Sequence, residues 1–424
     1  FLVTKIWVSN AGEEKAYKSI DESLRKLQTD YLDLILIHQP FNDYYGTYRA
    51  MERACKEGKT RAIGISNFYP DRFVDLSHFV EIQPAINQVE THVFQQQKTA
   101  KEIMKKCFYC DFVSYANKED MIEKYIKALE KEIKIKAEEN KLLKINTIYI
   151  GGGTPSFIDS KHIVYIINAI KESFNVKENA EITIEVNPGT VTKNKLEDYI
   201  KCGINRISIG LQTTNNELLK QIGRIHTYEQ FLETYNLIRM VGFNNINVDL
   251  MLALPNQTIK DLEDSLNKVI MLKPEHISVY SLILEEKTKL YDLVESGKLE
   301  LLDESIERNM YWKVKNILEQ NGYKHYEISN FAKQGYESKH NLNCWNQEEY
   351  LGMGVAAHSY LNNKRYSNTE NLEQYINKLL DEEGIKNDIV TVHEEQTLED
   401  KHKEYMLLGL RKIEGVKISD FKNK

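Results

Sequence analysis

Short apolar, β-branched runs recur along this chain, and longer stretches with helical periodicity separate them. The first series reads FLVTKI (1–6), YLDLILIH (31–38), RAIGIS (61–66) and PAINQVE (84–90). A second reads INTIYIGGG (145–153), EITIEVNP (181–188), RISIGLQ (206–212), INVDLMLALP (246–255) and HISVYSLIL (276–284). Segments 13–28, 118–143, 192–202, 227–241 and 258–272 supply the helical periodicity between them. Near-continuous apolar runs joined by crossover helices are how parallel strands look in a sequence. The pattern predicts an α/β class with barrel-like repetition. In such a barrel the C-terminal ends of the strands share one mouth, so residues at strand ends are the first to examine for chemistry.

Length and composition narrow the partners. At 424 residues the chain has room for two or three domains. With 42% hydrophobic and 28% charged residues it has the composition of a folded protein. A net charge of −7 gives no electrostatic case for nucleic acid or an anionic membrane. No apolar run approaches the roughly 18 residues of a membrane span, and FLVTKIW does not read as a signal segment. Five cysteines, an odd number, argue against a disulfide framework and for a reducing, cytoplasmic setting. All seven prolines precede residue 275, and 289–424 is rich in Glu, Lys and Leu, which predicts a more helical C-terminal region from about 290 and a separate module from about 395. The start at Phe1 and the stop at FKNK suggest that both ends are cut.

Lys5 ends one predicted strand and His38 another. A lysine can depress the pKa of a neighbouring proton donor and a neutral histidine can polarise a carbonyl, so the pair suits carbonyl chemistry. A single strand-end histidine is, however, more often a satisfied buried residue. Cys107 and Cys110 stand as CFYCDF. Thiolates at that spacing ligate iron or zinc, form a thioredoxin-type redox pair, or are incidental; with no second C-x-x-C, a four-thiolate zinc site is disfavoured. GGGTP at a strand end lets the backbone approach a ligand closely, although a generic glycine turn reads the same way. Cys55 and Cys202 read as helix-end cysteines without a ligand role.

In order, LVTKIW, DYLDLILIHQP, GKTRAIGISNFYPDR and PAINQVETH resemble the aldo-keto reductase family over residues 1–106, in particular its bacterial members acting on small carbonyl compounds. The resemblance implies part of a (β/α)8 barrel, NADPH as cofactor, Lys5 and His38 as catalytic residues, and Ser66, Asn67 and Gln88 as holders of the nicotinamide carboxamide. The family's catalytic Tyr and its partner Asp belong to segments before the Lys, and its later strands and NADP-phosphate loop are replaced after about residue 106. The expectation is a remnant that binds no NADPH and reduces no carbonyl.

In the second series, IYIGGGTPS, ITIEVNP, INRISIGLQT, NVDLMLALPNQT and HISVYSLILEE together resemble the radical S-adenosylmethionine (SAM) family. YEISNFA and HNLNCW sharpen the resemblance to its HemW branch, the haem-chaperone relatives of oxygen-independent coproporphyrinogen III oxidase. It implies a partial (β/α)6 barrel with a helical C-terminal region, a [4Fe–4S] cluster on Cys107 and Cys110, SAM, and haem passed to a haem-accepting protein. By resemblance Gly152, Gly153 and Thr154 contact SAM, and Glu185 accepts from a ribose hydroxyl or the amino group. Gln212, Arg224 and Asp249 line the same site, Arg224 pairing with the methionine carboxylate; strand-end polar groups such as Gln212 and Asp249 also cap loops. Tyr109 meets the adenine or packs over the cluster. His340 of HNLNCW is a candidate haem-iron ligand, and Cys344, where that signature carries Tyr, adds a thiolate option. Asp111 follows Cys110 where the oxidase has Gly and a further Cys, which favours the HemW branch.

The family's cluster spacing is C-x3-C-x2-C, and counting back from Cys107 reaches Ile103. QQQKTAKEIMKK (95–106) continues the reductase likeness, and the strand that should lead into the cysteines is missing. The expected organisation is a reductase fragment (1–106), a radical SAM core lacking its first strand and first cysteine (107–290), the C-terminal part of that core (291–394) and the start of a truncated module (395–424). Two truncated proteins would thus meet at about 104–107, through genomic rearrangement, faulty gene prediction or assembly, or engineering. The expected function is that of a HemW-like haem chaperone with impaired cluster binding. The alternatives are a coproporphyrinogen oxidase of porphyrin biosynthesis and, for the first quarter, an NADPH-dependent reductase. Expected partners are haem and its acceptor, with no nucleic acid, any membrane association arising through the acceptor.

Overall fold

The computed structural model describes residues 2–66, 121–286, 288–381 and 389–417, together with 68, 72, 76, 79–82, 84, 87–88 and 421. It divides into two compact units, residues 1–105 and 106–424.

In the first unit the apolar runs become β1 (Val3–Ile6), β2 (Leu34–Ile37), β3 (Ile63–Ser66) and β4 (Asn87–Gln88), a parallel sheet in that order among the described residues. Helices α1 (Glu13–Leu27) and α2 (Tyr44–Lys56) are the crossovers. Ala16, Ile20 and Leu24 of α1, spaced four apart, and Tyr48, Met51 and Ala54 of α2 bury their apolar stripes against Ile35, Ile37, Ile63 and Ile65. The Asp43 side chain accepts from Gly46 N at 2.7 Å and starts α2.

The second unit is built on a sheet of seven described strands. In chain order its elements are α3 (Ile122–Glu139), β5 (Lys144–Ile150), α4 (Ser160–Ser173), β6 (Asn175–Val186), α5 (Lys193–Cys202), β7 (Arg206–Gln212), α6 (Asn216–Gln221), α7 (Tyr228–Val241), β8 (Ile246–Leu252), α8 (Ile259–Leu272), β9 (His276–Ser281), α9 (Lys289–Glu295), α10 (Glu304–Gln320), β10 (Lys324–Glu327) and β11 (Asn330–Ala332). Strands β5 to β9 run parallel and β11 and β10 join antiparallel beyond β9, giving the order β10-β11-β9-β8-β7-β6-β5. Capping boxes open α7 (Thr227 with Gln230) and α8 (Thr258 with Asp261). Gly203 and Gly242, at φ +96° and +114°, close α5 and α7 in the left-handed conformation that glycine adopts without strain.

The two faces of this sheet differ in chemistry. On one face Ile182, Ile184, Ile207, Ile209, Val248, Leu250, Ile277 and Val279 pack with Leu196, Phe231, Ile238, Leu262 and Leu266 of the helices. The alternate positions are polar: Thr183, Glu185, Arg206, Ser208, Asn247, Asp249, His276 and Ser278. The strands therefore enclose a hydrophilic interior, whereas a closed (β/α)8 barrel fills its own with apolar layers.

The region from 290 holds helices, as expected, and strands as well. Helices α11 (Lys339–Trp345), α12 (Leu372–Leu380) and α13 (Leu398–Gly409) accompany an antiparallel sheet of β12 (His358–Leu361), β13 (Lys364–Asn368) and β14 (Val390–Glu395). Arg365 Nη2 on β13 lies 2.7 Å from Glu404 on α13. Arg411 lies 4.4 Å from the centre of the Trp345 ring of α11. No helix among the described residues is long and apolar enough to cross a membrane.

Candidate functional site

The C-terminal ends of β5, β6 and β7 gather most of the residues singled out for SAM. After β5 the chain turns through Gly152 and Gly153, at φ +81° and +58°. Gly152 N donates to Glu185 Oε2 at 3.1 Å and Tyr149 OH donates to Oε1 at 2.8 Å. Gly151 lies so close that a Cβ there would stand 2.7 Å from Tyr149 Cε1 and 2.9 Å from the Glu185 carboxyl carbon. Burial holds Glu185 above the usual carboxylate range, partly offset by the Tyr149 hydroxyl.

A second set of bonds extends this rim. Asn187 Nδ2 donates to Thr154 Oγ1 at 2.9 Å, and Arg224 Nη1 donates to Asn187 Oδ1 at 3.0 Å. Gly210 forms its floor: a Cβ would stand 3.1 Å from both Arg224 Nη2 and Gln212 Nε2. Gln212 adopts φ +74°, a strained value for a residue with a side chain, at a break in the β7–β8 register. Thr154, Arg224 and Gln212 are thus brought together, with Glu185 close by near the end of β6. His226, beside Arg224, is pushed down to about 4 by burial, so it is neutral at pH 7.

Asp249 belongs to a deeper network. Its carboxylate accepts from Ser208 Oγ at 3.0 Å and Asn247 Nδ2 at 2.7 Å, and burial raises its pKa. From Asn247 the chain of bonds continues to His276 Nδ1 at 2.6 Å, and from His276 Nε2 to Tyr326 OH at 2.7 Å. Burial drives His276 well below the usual imidazole value and keeps it neutral.

His340 enters the same interior on α11. Its Nδ1 is 3.2 Å from Thr147 Oγ1, and its ring stacks on Tyr149 with centroids 5.0 Å apart. Glu181 accepts from Lys339 N and His340 N, each at 3.1 Å, while Ser338 N donates to Tyr326 OH at 3.2 Å. α11 is therefore tied to strands near both edges of the sheet. Tyr149, stacked on His340 and bonded to Glu185, links α11 to the rim at the ends of β5, β6 and β7.

Cys107, Tyr109 and Cys110 lie outside the described residues. As a donor set the motif offers two thiolates, with Ile103 at the third position, and does not fit a cluster held by three. In the first unit Lys5 Nζ donates to Ser66 Oγ at 3.4 Å, and the His38 ring packs on Trp7 at 4.4 Å. Gln88 lies on β4; Asn67 is outside the described residues. Tyr149, Asn187, Arg206, Asn247 and Glu181 were not anticipated, although each is polar in a strand or its exit and the two-residue alternation of EITIEV, RISIG and HISVYS marks an interior polar face.

Comparison with known proteins places both units. Residues 104–269 match the radical SAM superfamily, and residues 1–134 match the aldo/keto reductase family. The chain is 38% identical over 318 residues to "Heme chaperone HemW" of Lactococcus lactis, covering 75% of this chain and 81% of that protein. It is 39% identical over 319 residues to the Bacillus subtilis protein of the same name, covering 75% and 83%. Among solved structures, the Escherichia coli coproporphyrinogen III oxidase HemN, described as a radical SAM enzyme, superimposes with a TM-score of 0.62 at 24% identity over 72% of each chain, a likeness of fold.

Proposed function

Since the chain belongs, over three quarters of its length, to the HemW family of radical SAM proteins, we propose that it is a haem-binding chaperone that passes haem to an acceptor protein. The observation that carries this reading is the setting of His340. Thr147 engages Nδ1, which orients the ring and leaves Nε2 for iron, the arrangement in which a neighbouring group fixes a metal-binding imidazole. Burial lowers the His340 pKa, so the imidazole is in the neutral form that ligates metal. Cys344, one helical turn on, is the weaker candidate, because burial pushes its thiol above the ordinary value and keeps it protonated.

SAM, in this reading, occupies the strand-end rim. The backbone of Gly152 and Gly153 and the hydroxyl of Thr154 meet its amino-acid end, Glu185 takes a ribose hydroxyl or the amino group, and Arg224 pairs with the carboxylate. Gln212 lines the rim and Asp249 the interior beneath. SAM when bound supplies a sulfonium and a ribose for these groups to hold. With two thiolates in the cysteine motif, the chain lacks the three-thiolate ligand set on which radical cleavage of SAM depends. The proposed setting is cytoplasmic, and the partners are haem and the acceptor.

Haem titration of the purified chain tests the reading. Saturable binding followed by the Soret band is expected, weakened about tenfold or more in His340→Ala. In parallel, the Ile103→Cys variant is incubated anaerobically with coproporphyrinogen III, SAM and a reductant. No decarboxylated product is expected. Absence of saturable haem binding would overturn the reading, and turnover by the restored variant would replace it with the oxidase.

A further inference from the structure

Two polar groups in the interior take no part in the SAM rim. Thr183 on β6 is fully buried and its Oγ1 has no hydrogen-bond partner. Arg206 on β7 is 2% exposed and its Nε has none. They are register partners across β6 and β7, and Thr183 is in turn the register partner of Tyr149 on β5. Tyr149, Thr183 and Arg206 thus form one row across three parallel strands, each step about 4.8 Å. All three share the interior face with Glu185 and Ser208, because side chains alternate along a strand. His340 stacks on Tyr149 at the far end of the row, 5.0 Å between ring centres.

Buried donors in native folds find partners, and an orphan one marks a place where something else supplies the acceptor. The interior acid nearest in chemistry, Asp249, already accepts from Ser208 and Asn247. Above Arg206 on the same face of β7 stand Ser208, whose hydroxyl is directed to Asp249, and Gly210, so that strand places no large side chain over Arg206.

We propose that Arg206 and Thr183 form a carboxylate subsite inside the barrel, and that it takes a propionate of the haem whose iron His340 ligates. The assignment rests on the haem reading above. A guanidinium offers a planar fork of N–H donors and a threonine one hydroxyl, a donor set matched to the two oxygens of a carboxylate. In a bound haem, His340 would hold the iron, and Arg206 and Thr183 would hold an acid group of the ring's edge. The other carboxylate within reach of this unit is that of SAM, which the rim assigns to Arg224.

The test compares iron protoporphyrin IX with its dimethyl ester, which keeps the ring and iron and loses both acids. The full 424-residue chain is expected to bind the diacid about tenfold or more tightly than the ester, a ratio that Arg206→Gln and Thr183→Val each reduce. SAM affinity, measured by equilibrium dialysis, is expected to stay within about twofold in both variants. The orphan state adds a readout that a structural role would reverse: without ligand, Thr183→Val should melt at or above the wild-type temperature, since it removes an unsatisfied buried hydroxyl. Equal binding of diacid and ester by the unmutated chain overturns the subsite alone, whatever the variants do. A loss of SAM binding as large as the loss of haem reassigns Arg206 to SAM and overturns it too. Binding of neither porphyrin takes down the subsite together with the haem reading.

Discussion

A carboxylate inside a barrel is costly unless donors surround it, and Glu185 has two, the Tyr149 hydroxyl and Gly152 N–H. They do not fully offset burial, which leaves its folded pKa above the usual carboxylate value. With the folded value above the unfolded one, the group costs nothing while it is protonated in both states. The cost builds as pH rises from the unfolded carboxylate range through the raised folded value, the reverse of a surface aspartate in an ion pair. Glu185→Gln is therefore expected to stabilise the ligand-free protein by about 1 kcal/mol at neutral pH, an advantage that fades towards about pH 4. The same variant should bind SAM about tenfold more weakly, because a charge-assisted acceptor is lost. Thermal melts between about pH 4 and about pH 8, with and without SAM, check both halves. A stabilisation that grew on acidification would contradict the assignment of burial as the cause.

At the scale of elements, α11 shows how a site is held by a segment that could not stand alone. Seven residues are too few for an autonomous helix. Its N-terminus is secured by Glu181, which accepts from Lys339 N and His340 N, and by Tyr326, which accepts from Ser338 N. Glu181→Ala should cost about 1 kcal/mol, the penalty for leaving two partly buried N–H donors unmet. Hydrogen exchange should then accelerate over residues 339–345 and not in β7 and β8. Uniform acceleration would show that α11 is not a separable element. The strands that position this helix were legible because their helix-facing residues are unbroken Ile, Val and Leu at every second place, as in ITIEV and ISIGL. β12, β13 and β14 were not: HSYL, KRYSN and VTVHEE carry little apolar periodicity, and β14 is largely exposed along its length. Strands of that kind are set by ladder pairing with neighbours, which no local pattern reveals. The same asymmetry governed the site. GGGTP and HNLNCW are compact motifs and could be read directly, whereas the row from Tyr149 to Arg206 exists only once three strands are placed in register.

Across the whole molecule, the rim proposed for SAM and the cysteine motif are unequally complete. The rim is built within residues 149–249 of the second unit, whereas the motif supplies Cys107 and Cys110 with Ile103 in the third place. The remaining cysteines are poor substitutes. Cys202 ends α5 on the helix side of the sheet, its Sγ 3.2 Å from Tyr199 O, and burial pushes the thiols of Cys55, Cys202 and Cys344 above their ordinary values. A thiol held protonated does not compete for iron. Anaerobic reconstitution of the unaltered chain should therefore give far fewer than four irons and four sulfides per polypeptide, the content of one [4Fe–4S] cluster. Ile103→Cys should bring both towards about four and produce, after reduction, the EPR signal of a reduced cluster whose shape changes on adding SAM. Because the rim does not depend on residue 103, SAM binding should already be measurable in the unaltered chain and should tighten only where the iron offers SAM a further contact. A full, SAM-responsive cluster in the unaltered chain would show that two thiolates and an unrecognised third ligand suffice.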